Sequence, residues 1–409
     1  MNLIRQENMT KIEIINAAFK VWGRNFYRKT SLSQLAGELK VSKPALYRHF
    51  KSKQALNEAM VEHFLDDFAA SIRADFEKAL QAKDADKGIS VIITSIADYF
   101  ARNAYALIFS LMNIYERNID GRTISERLKL RGADMAVLTL VVEKKYSDDP
   151  TLIRMIFATL TFLMSHCRKT NEEMEKPMSD EDIKNITGTI DKTIKKGLGY
   201  SADKAALDFN KLENKVIAAM PDFEPEPFFR AVAEAVAEAG PWDVSMEMVA
   251  KRLGLSKSSL YGHFKNKKDM LRRLFASEFK RIIEFAKQGI EMSGNTAEQL
   301  YLGIFSISLY LKSRPEILVT MDWIRTRKLD LGKPDKHSRI FRLFEDVDIE
   351  PLRDTTEEEK QKTSHRILFL LINILTNPTE NIPSGSQVQK NCIQVLYKFI
   401  TLGLGGFKR

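Results

Sequence analysis

Apolar residues recur along this chain at helical intervals. Ile12, Ile15, Phe19 and Trp22 fall at i, i+3, i+7 and i+10. Ile183, Ile186, Ile190, Ile194 and Leu198 keep to one face, and Val388, Cys392, Leu396 and Phe399 do the same near the end. There is no sustained period-two alternation and no hairpin dipeptide between apolar runs. The pattern predicts an all-α fold.

Two short elements near the start follow the same logic. Ser31 is placed to cap a helix over Leu32–Leu39, with Leu32, Leu35, Ala36 and Leu39 inward. Lys40 and Val41 form a tight turn. Ser42 caps a second short helix, and Pro44 suits its first turn, where no amide hydrogen is needed. Leu46 and Phe50, four apart, face the core. Lys43, Ala45, Tyr47 and Arg48 are left pointing outward. A helix-turn-helix offers its second helix to the major groove of DNA in this way.

This element occurs twice. Residues 42–53 read Ser-Lys-Pro-Ala-Leu-Tyr-Arg-His-Phe-Lys-Ser-Lys, and residues 256–267 read Ser-Lys-Ser-Ser-Leu-Tyr-Gly-His-Phe-Lys-Asn-Lys. Ahead of the second copy, Ser245 starts a helix with Met246, Val249, Ala250 and Leu253 inward, and Gly254 stands at the turn where the first copy has Lys40. Ser256 then caps the second helix. So long a period means a duplicated domain rather than a solenoid. Outside the motif the copies stay alignable. Tyr99 and Leu107 match Tyr310 and Leu318, and Gly197-Leu198-Gly199 matches Gly403-Leu404-Gly405.

The expected division is a head over 1–54, a helical regulatory part over 55–200, a linker over 201–225, a second head over 226–268 and a second regulatory part over 269–409. Within the linker, Ala206, Phe209, Leu212 and Val216 predict a helix inside Lys204–Met220, and Pro221, Pro225 and Pro227 end it.

Charge sharpens the picture. The 409 residues carry a formal net charge of +9, which favours an anionic partner. Residues 40–53 contain Lys40, Lys43, Arg48, Lys51 and Lys53 and no acid. Residues 251–268 contain Lys251, Arg252, Lys257, Lys265, Lys267 and Lys268 and again no acid. The two cysteines, Cys167 and Cys392, exclude a disulfide framework and read as buried free thiols in a reducing cytoplasm. No apolar run is long enough for a membrane span. His49 and His263 have no partner at zinc spacing, and His166 and Cys167, adjacent on a helix, point apart. No Gly-rich phosphate loop or nucleophile motif is present, so neither a cofactor nor enzymatic chemistry is expected.

Thr30-Ser-Leu-Ser-Gln-Leu-Ala followed by Val41-Ser-Lys-Pro-Ala-Leu-Tyr-Arg-His-Phe-Lys-Ser-Lys-Gln-Ala-Leu resembles the signature of the TetR family of transcriptional regulators. Val244-Ser-Met-Glu-Met-Val-Ala followed by Leu255-Ser-Lys-Ser-Ser-Leu-Tyr-Gly-His-Phe-Lys-Asn-Lys resembles it too. The likeness covers about 50 residues at the head of each half. It implies two tandem units, a double-stranded DNA partner and, usually, repression. Family members act as homodimers with one head per chain. Two heads here imply a fused pseudo-dimer that is monomeric.

The resemblance also implies roles. Tyr47, His49, Tyr261 and His263 align with positions that touch the DNA backbone. Lys53 and Lys267 align with a lysine that meets a phosphate at a helix start. Lys43, Pro44, Ala45 and Arg48 face the groove, as do Lys257, Ser258, Ser259 and Gly262. Ser31, Ser42, Ser245 and Ser256 belong to the same set as caps. Tyr105, Phe109, Met112 and Tyr115, with Ile317, Met321 and Ile324 in the second half, are read as core or as the lining of a pocket for a small apolar effector. A rival reading is a ligand-binding or protein-interaction module that has lost DNA recognition.

Overall fold

The computed structural model describes residues 10–25, 31–114, 123–167, 176–221, 227–318, 321, 343–344, 347–376 and 387–409. Among them the regular structure is helical and no strand occurs. The chain divides into two compact units, Met1–Asp148 with Leu160–Lys192 and Arg409, and Asp149–Thr159 with Thr193–Lys408.

In the first unit, α1 (Lys11–Asn25), α2 (Leu32–Glu38) and α3 (Lys43–His49) form a small head. The inward face of α1 is Ile14, Ile15, Ala18, Phe19, Val21 and Trp22. Ile12, placed in that stripe by the sequence, is 57% exposed. It lies in the first turn at the edge of the apolar arc, which Ile14 and Val21 pull away from it. The long α4 (Lys53–Gln81) leads out of the head and packs along α5 (Ala85–Arg102). The seam is aromatic. Phe68 lies 4.9 Å from Tyr99 and 5.3 Å from Phe100, ring centre to ring centre. Then come α6 (Ala104–Ile114), α7 (Ile124–Lys129), α8 (Ala136–Glu143), the second part of α9 (Pro150–His166) and most of α10 (Asp180–Lys196).

The second unit contains α11 (Phe209–Ala218), a head of α12 (Pro227–Asp243), α13 (Met246–Leu253) and α14 (Lys257–His263), then α15 (Lys267–Glu291), α16 (Thr296–Ser313), α17 (Glu357–Thr376) and α18 (Gln387–Leu402). The α11 segment is more than a tether. Leu212 and Val216 are buried, and the Phe209 ring meets Tyr301 at 4.8 Å and Tyr397 at 5.9 Å. Glu213 is only 1% exposed. Its Oε1 accepts hydrogen bonds from Tyr301 Oη at 2.6 Å and Gln394 Nε2 at 2.9 Å. A buried carboxylate needs such donors, because losing water without them costs several kcal/mol.

Residues 149–159 and 193–208 also belong to this unit, although they precede the second repeat in the chain. Their packing explains it. Thr151 Oγ1 sits 3.7 Å from Cys392 Sγ, and the amides of Leu198 and Gly199 donate to the carbonyls of Ile400 and Thr401 at 2.8 and 3.1 Å. The start of α9 and the turn that follows α10 therefore pack against α18 within this unit. The cysteines are half-buried rather than fully buried.

Gly197 and Gly403, which match between the repeats, lie backbone against backbone. Both have positive φ, +58° each. A Cβ on Gly403 would come within 2.5 Å of the Gly197 nitrogen, and one on Gly197 within 2.6 Å of the Gly403 nitrogen. Neither position has room for a side chain. Gly403→Ala is expected to lower stability by roughly 2–4 kcal/mol, combining the left-handed φ with the overlap. Gly188→Ala, mid-helix with open space around it, is the control and should gain about 0.5–1 kcal/mol. Urea unfolding of both variants checks this. Equal midpoints would show that the glycine contact does not form.

Lys40 is the only non-glycine residue with positive φ among the described residues, at 54°. Gly254 takes the same turn in the second head with φ 66°. A side chain in the left-handed region costs about 1 kcal/mol. Lys40→Gly should therefore raise the unfolding midpoint of the chain, and Gly254→Lys should lower it.

Candidate nucleic-acid interface

Each head is held by three side-chain caps in the same register. Ser31 Oγ accepts from the Gln34 amide at 3.1 Å, and Gln34 Oε1 returns a bond to the Ser31 amide at 2.7 Å, which closes a capping box. Ser245 Oγ takes the Met248 amide at 3.2 Å in the second head. Ser42 caps α3 through the Ala45 amide at 3.2 Å, and Ser256 caps α14 through the Ser259 amide at 3.1 Å. Ser52 and Asn266 then cap α4 and α15. Lys53 and Lys267 are the first residues of those long helices, where unpaired amides and the helix dipole favour an anion.

The cores of the heads match too. Leu46 and Phe50 are buried in the first, and Leu260 and Phe264 in the second. A cation covers each phenylalanine ring, with Lys11 Nζ 5.6 Å from the Phe50 centroid and the Arg273 guanidinium 5.5 Å from Phe264. What remains outside is the candidate surface. Tyr47 and Tyr261 are each 47% exposed, an unusual degree for a tyrosine and the same in both copies. Lys43, Pro44, Arg48 and His49 are exposed, as are Lys257, Ser258, Ser259, Gly262 and His263. Ala45 differs from expectation. It is 5% exposed and packs into the head, because its amide turns toward the Ser42 cap and its methyl follows Leu46 inward. Its counterpart Ser259 stays outside.

A model of bacterial regulatory proteins of the tetR family matches residues 14–60 and, separately, 229–274. The chain carries two TetR-family DNA-binding domains. Curated relatives include the fatty acid metabolism regulator protein of Bacillus subtilis (strain 168), 30% identical over 102 residues that make up 25% of this chain and 53% of that protein. The transcriptional repressor ComR of Escherichia coli (strain K12) is 27% identical over 120 residues, 29% of this chain and 56% of the repressor. The repressor NicS of Pseudomonas putida (strain KT2440) is 23% identical over 140 residues, 34% of this chain and 64% of NicS. The chain thus spans between about half and two thirds of the length of each. Among solved structures, the TetR family regulator PfmR from Thermus thermophilus covers 44% of this chain and 95% of its own, at 23% identity and a TM-score of 0.34.

In the helical body behind the first head, Tyr105 and Phe109 are buried, and Phe109 meets Phe19 edge-on at 4.7 Å. Ile317 and Met321 are buried in the second unit. Tyr115 and Ile324, and the side chain of Met112, lie outside the described residues. None of Tyr105, Phe109, Ile317 and Met321 lines the cleft that is described. That cleft, of about 480 Å³, lies in the first unit between α4 and α5 and is lined by residues between Ser71 and Asn103, most of them polar, with Val91 among them. At its edge Tyr99 Oη donates to Asp67 at 2.9 Å. Burial, then the Asp67 charge, holds the Tyr99 phenol well above its usual pKa and so protonated. The matching Tyr310 Oη donates to Glu278 at 2.5 Å. Sequence reading missed both pairs, because partners about 30 residues apart on different helices leave no periodic signal. Among the described residues no group of His, Cys, Asp or Glu could hold a metal ion, and no helix is long and apolar enough to cross a membrane.

Lys53→Ala and Lys267→Ala should each weaken binding to any duplex and reduce the slope of log K against log salt by about 0.9. Titration of a random duplex at several salt concentrations checks both heads separately. A slope unchanged by Lys267→Ala would remove the second head from the interface.

Proposed function

We propose that this chain is a DNA-binding transcriptional regulator, acting as a repressor, whose two heads engage one operator without a partner chain. The observation that carries this reading is the contrast between two residue sets. The backbone-contacting set is the same in both heads: Tyr47 and Tyr261, His49 and His263, Lys53 and Lys267. The groove-facing set differs, with Pro44 against Ser258 and Arg48 against Gly262, and the exposed Ser259 stands where the first head has the buried Ala45. Phosphate contacts position a protein on DNA and base contacts specify sequence. Two heads that dock alike and read differently call for an operator with two unlike half-sites. A homodimer, by its symmetry, reads a palindrome.

The regulatory parts take a small effector that binds one arrangement of the heads better than another and so shifts the population between DNA-competent and incompetent states. The buried aromatic and aliphatic residues Tyr105, Phe109, Ile317 and Met321 support an apolar one. With both halves of a family dimer in one chain, the protein is a monomer.

Arg48 can make a bidentate contact to guanine worth roughly 1–3 kcal/mol of discrimination, and Gly262 cannot. Selection from a random DNA pool should yield a non-palindromic site from the wild type. Arg48→Gly should relax one half-site and leave the other unchanged. A perfect palindrome, or equal loss in both half-sites, would contradict the reading.

A further inference from the structure

The two heads distribute their cations differently. In the second, Gly262 stands for Arg48 and Gly254 for Lys40, so two cations are missing from the segment that contains α13 and α14. The first turns of the long helices differ in the opposite sense. Carried on from the matched motif without a gap, Ala55, Glu58 and Ala59 of α4 correspond to Asp269, Arg272 and Arg273 of α15. In α4, Glu58 accepts a hydrogen bond from Gln54 Nε2 at 3.0 Å, so this face presents an acid. In the second head, residues 265–273 hold five Lys or Arg and the single acid Asp269.

That one carboxylate gathers both arginines. Asp269 is buried, 6% exposed. Its Oδ2 accepts the Lys265 amide at 3.3 Å, which ties it to the turn between α14 and α15. Its Oδ1 accepts Arg272 Nη2 at 2.9 Å, and Oδ2 lies 3.4 Å from Arg273 Nη2. Arg273 also covers the Phe264 ring at 5.5 Å. Both guanidiniums are therefore drawn back to the N-terminal end of α15. There they stand at the turn bounded by His263 and Lys267, two of the residues read as touching the DNA backbone. Both remain open to solvent, with side chains 66% and 52% exposed. A guanidinium carries five N–H donors in a fixed fork, and one carboxylate shared by two of them engages only part of that set. An arginine held by a buried acid has also lost much of its rotamer freedom before any partner arrives. Five cations around one acid leave an excess of positive charge that attracts an anion.

We propose that Arg272 and Arg273, positioned by Asp269, form a clamp on the phosphates of the DNA backbone that the second head has and the first lacks. Each guanidinium donates to phosphate oxygens, for which its planar fork is matched. The inference rests on the two-headed reading above and adds a contact to those that the heads share. It also gives the missing cations a meaning. Charge absent from the α13–α14 segment of the second head reappears at the start of α15, where it meets phosphate, and phosphate contacts carry no base information. The second head is thus the more backbone-bound of the two.

The test is anisotropy titration of a labelled random-sequence duplex with the full chain at several sodium chloride concentrations. Arg272→Ala and Arg273→Ala should each reduce the slope of log K against log salt by about 0.9. Arg273 covers a core ring, so Arg273→Met, which keeps the cover without the charge, replaces Arg273→Ala if that variant melts early. Glu58→Ala, the matched change in the first head, should leave the slope unchanged or steepen it. A fall there equal to that of Arg272→Ala would show lost folding rather than a lost phosphate contact, and would overturn the proposal. Asp269→Asn removes a negative charge, which by itself strengthens binding. Loss of the hold on both arginines should instead weaken it by about two- to fivefold. A folded Asp269→Asn chain that binds as tightly as wild type overturns the positioning by Asp269. If Lys267→Ala lowers the slope while Arg272→Ala and the Arg273 variant do not, this inference fails and the two-headed reading stands. If Lys267→Ala leaves the slope unchanged as well, both fail together.

Discussion

A seven-residue helix has almost no stability of its own in water, since nucleation fixes several residues before the first hydrogen bonds repay it. The second short helix of each head, α3 and α14, is seven residues long. Everything the heads can do depends on holding those two short helices in place. Three things do so in each copy: a serine that takes the amide of the third helical residue, a buried leucine on the inner face, and a buried phenylalanine that closes the C-terminal end under a cation. With those anchors inside, the tyrosine, histidine and the polar face have nowhere to go but solvent. The exposed surface follows from the constraint on the helix as much as from the residues that occupy it.

This explains which parts were legible in the sequence. Caps are local chemistry, and Ser31, Ser42, Ser245 and Ser256 all sit where their spacing from the apolar positions puts them. The turn at Lys40 and Gly254 was legible for the same reason. The α-helical class was legible from periodicity. Ile12 was not, because a stripe wider than one row leaves its edge to tertiary packing, which also turned Ala45 inward.

Long-range pairings were the larger gap. Glu213 looks like one more charged residue on a linker helix, yet it is a buried acceptor for Tyr301 and Gln394. The cleft is lined from the later part of α4 and from α5 after Ser90, largely by serines, a threonine and aspartates that any solvated helix face contains. Only adjacency in space makes them a cleft. Likewise no pattern along the chain tells that residues 149–159 and 193–208 pack with the closing helices of the second repeat. The match between Gly197-Leu198-Gly199 and Gly403-Leu404-Gly405 was visible in the sequence, but not that the matched residues touch.

That glycine contact bears on how the duplication could have diverged. After a gene doubles within one reading frame, each half is free to change, and the exposed residues of α3 and α14 have done so. At Gly197 and Gly403 the freedom is absent, because each backbone occupies the volume that a side chain on the other would need. Neither site can be relaxed by compensation at its neighbour, since nothing is smaller than hydrogen. The two halves can drift apart at their tips, but at this point they must remain copies of one another.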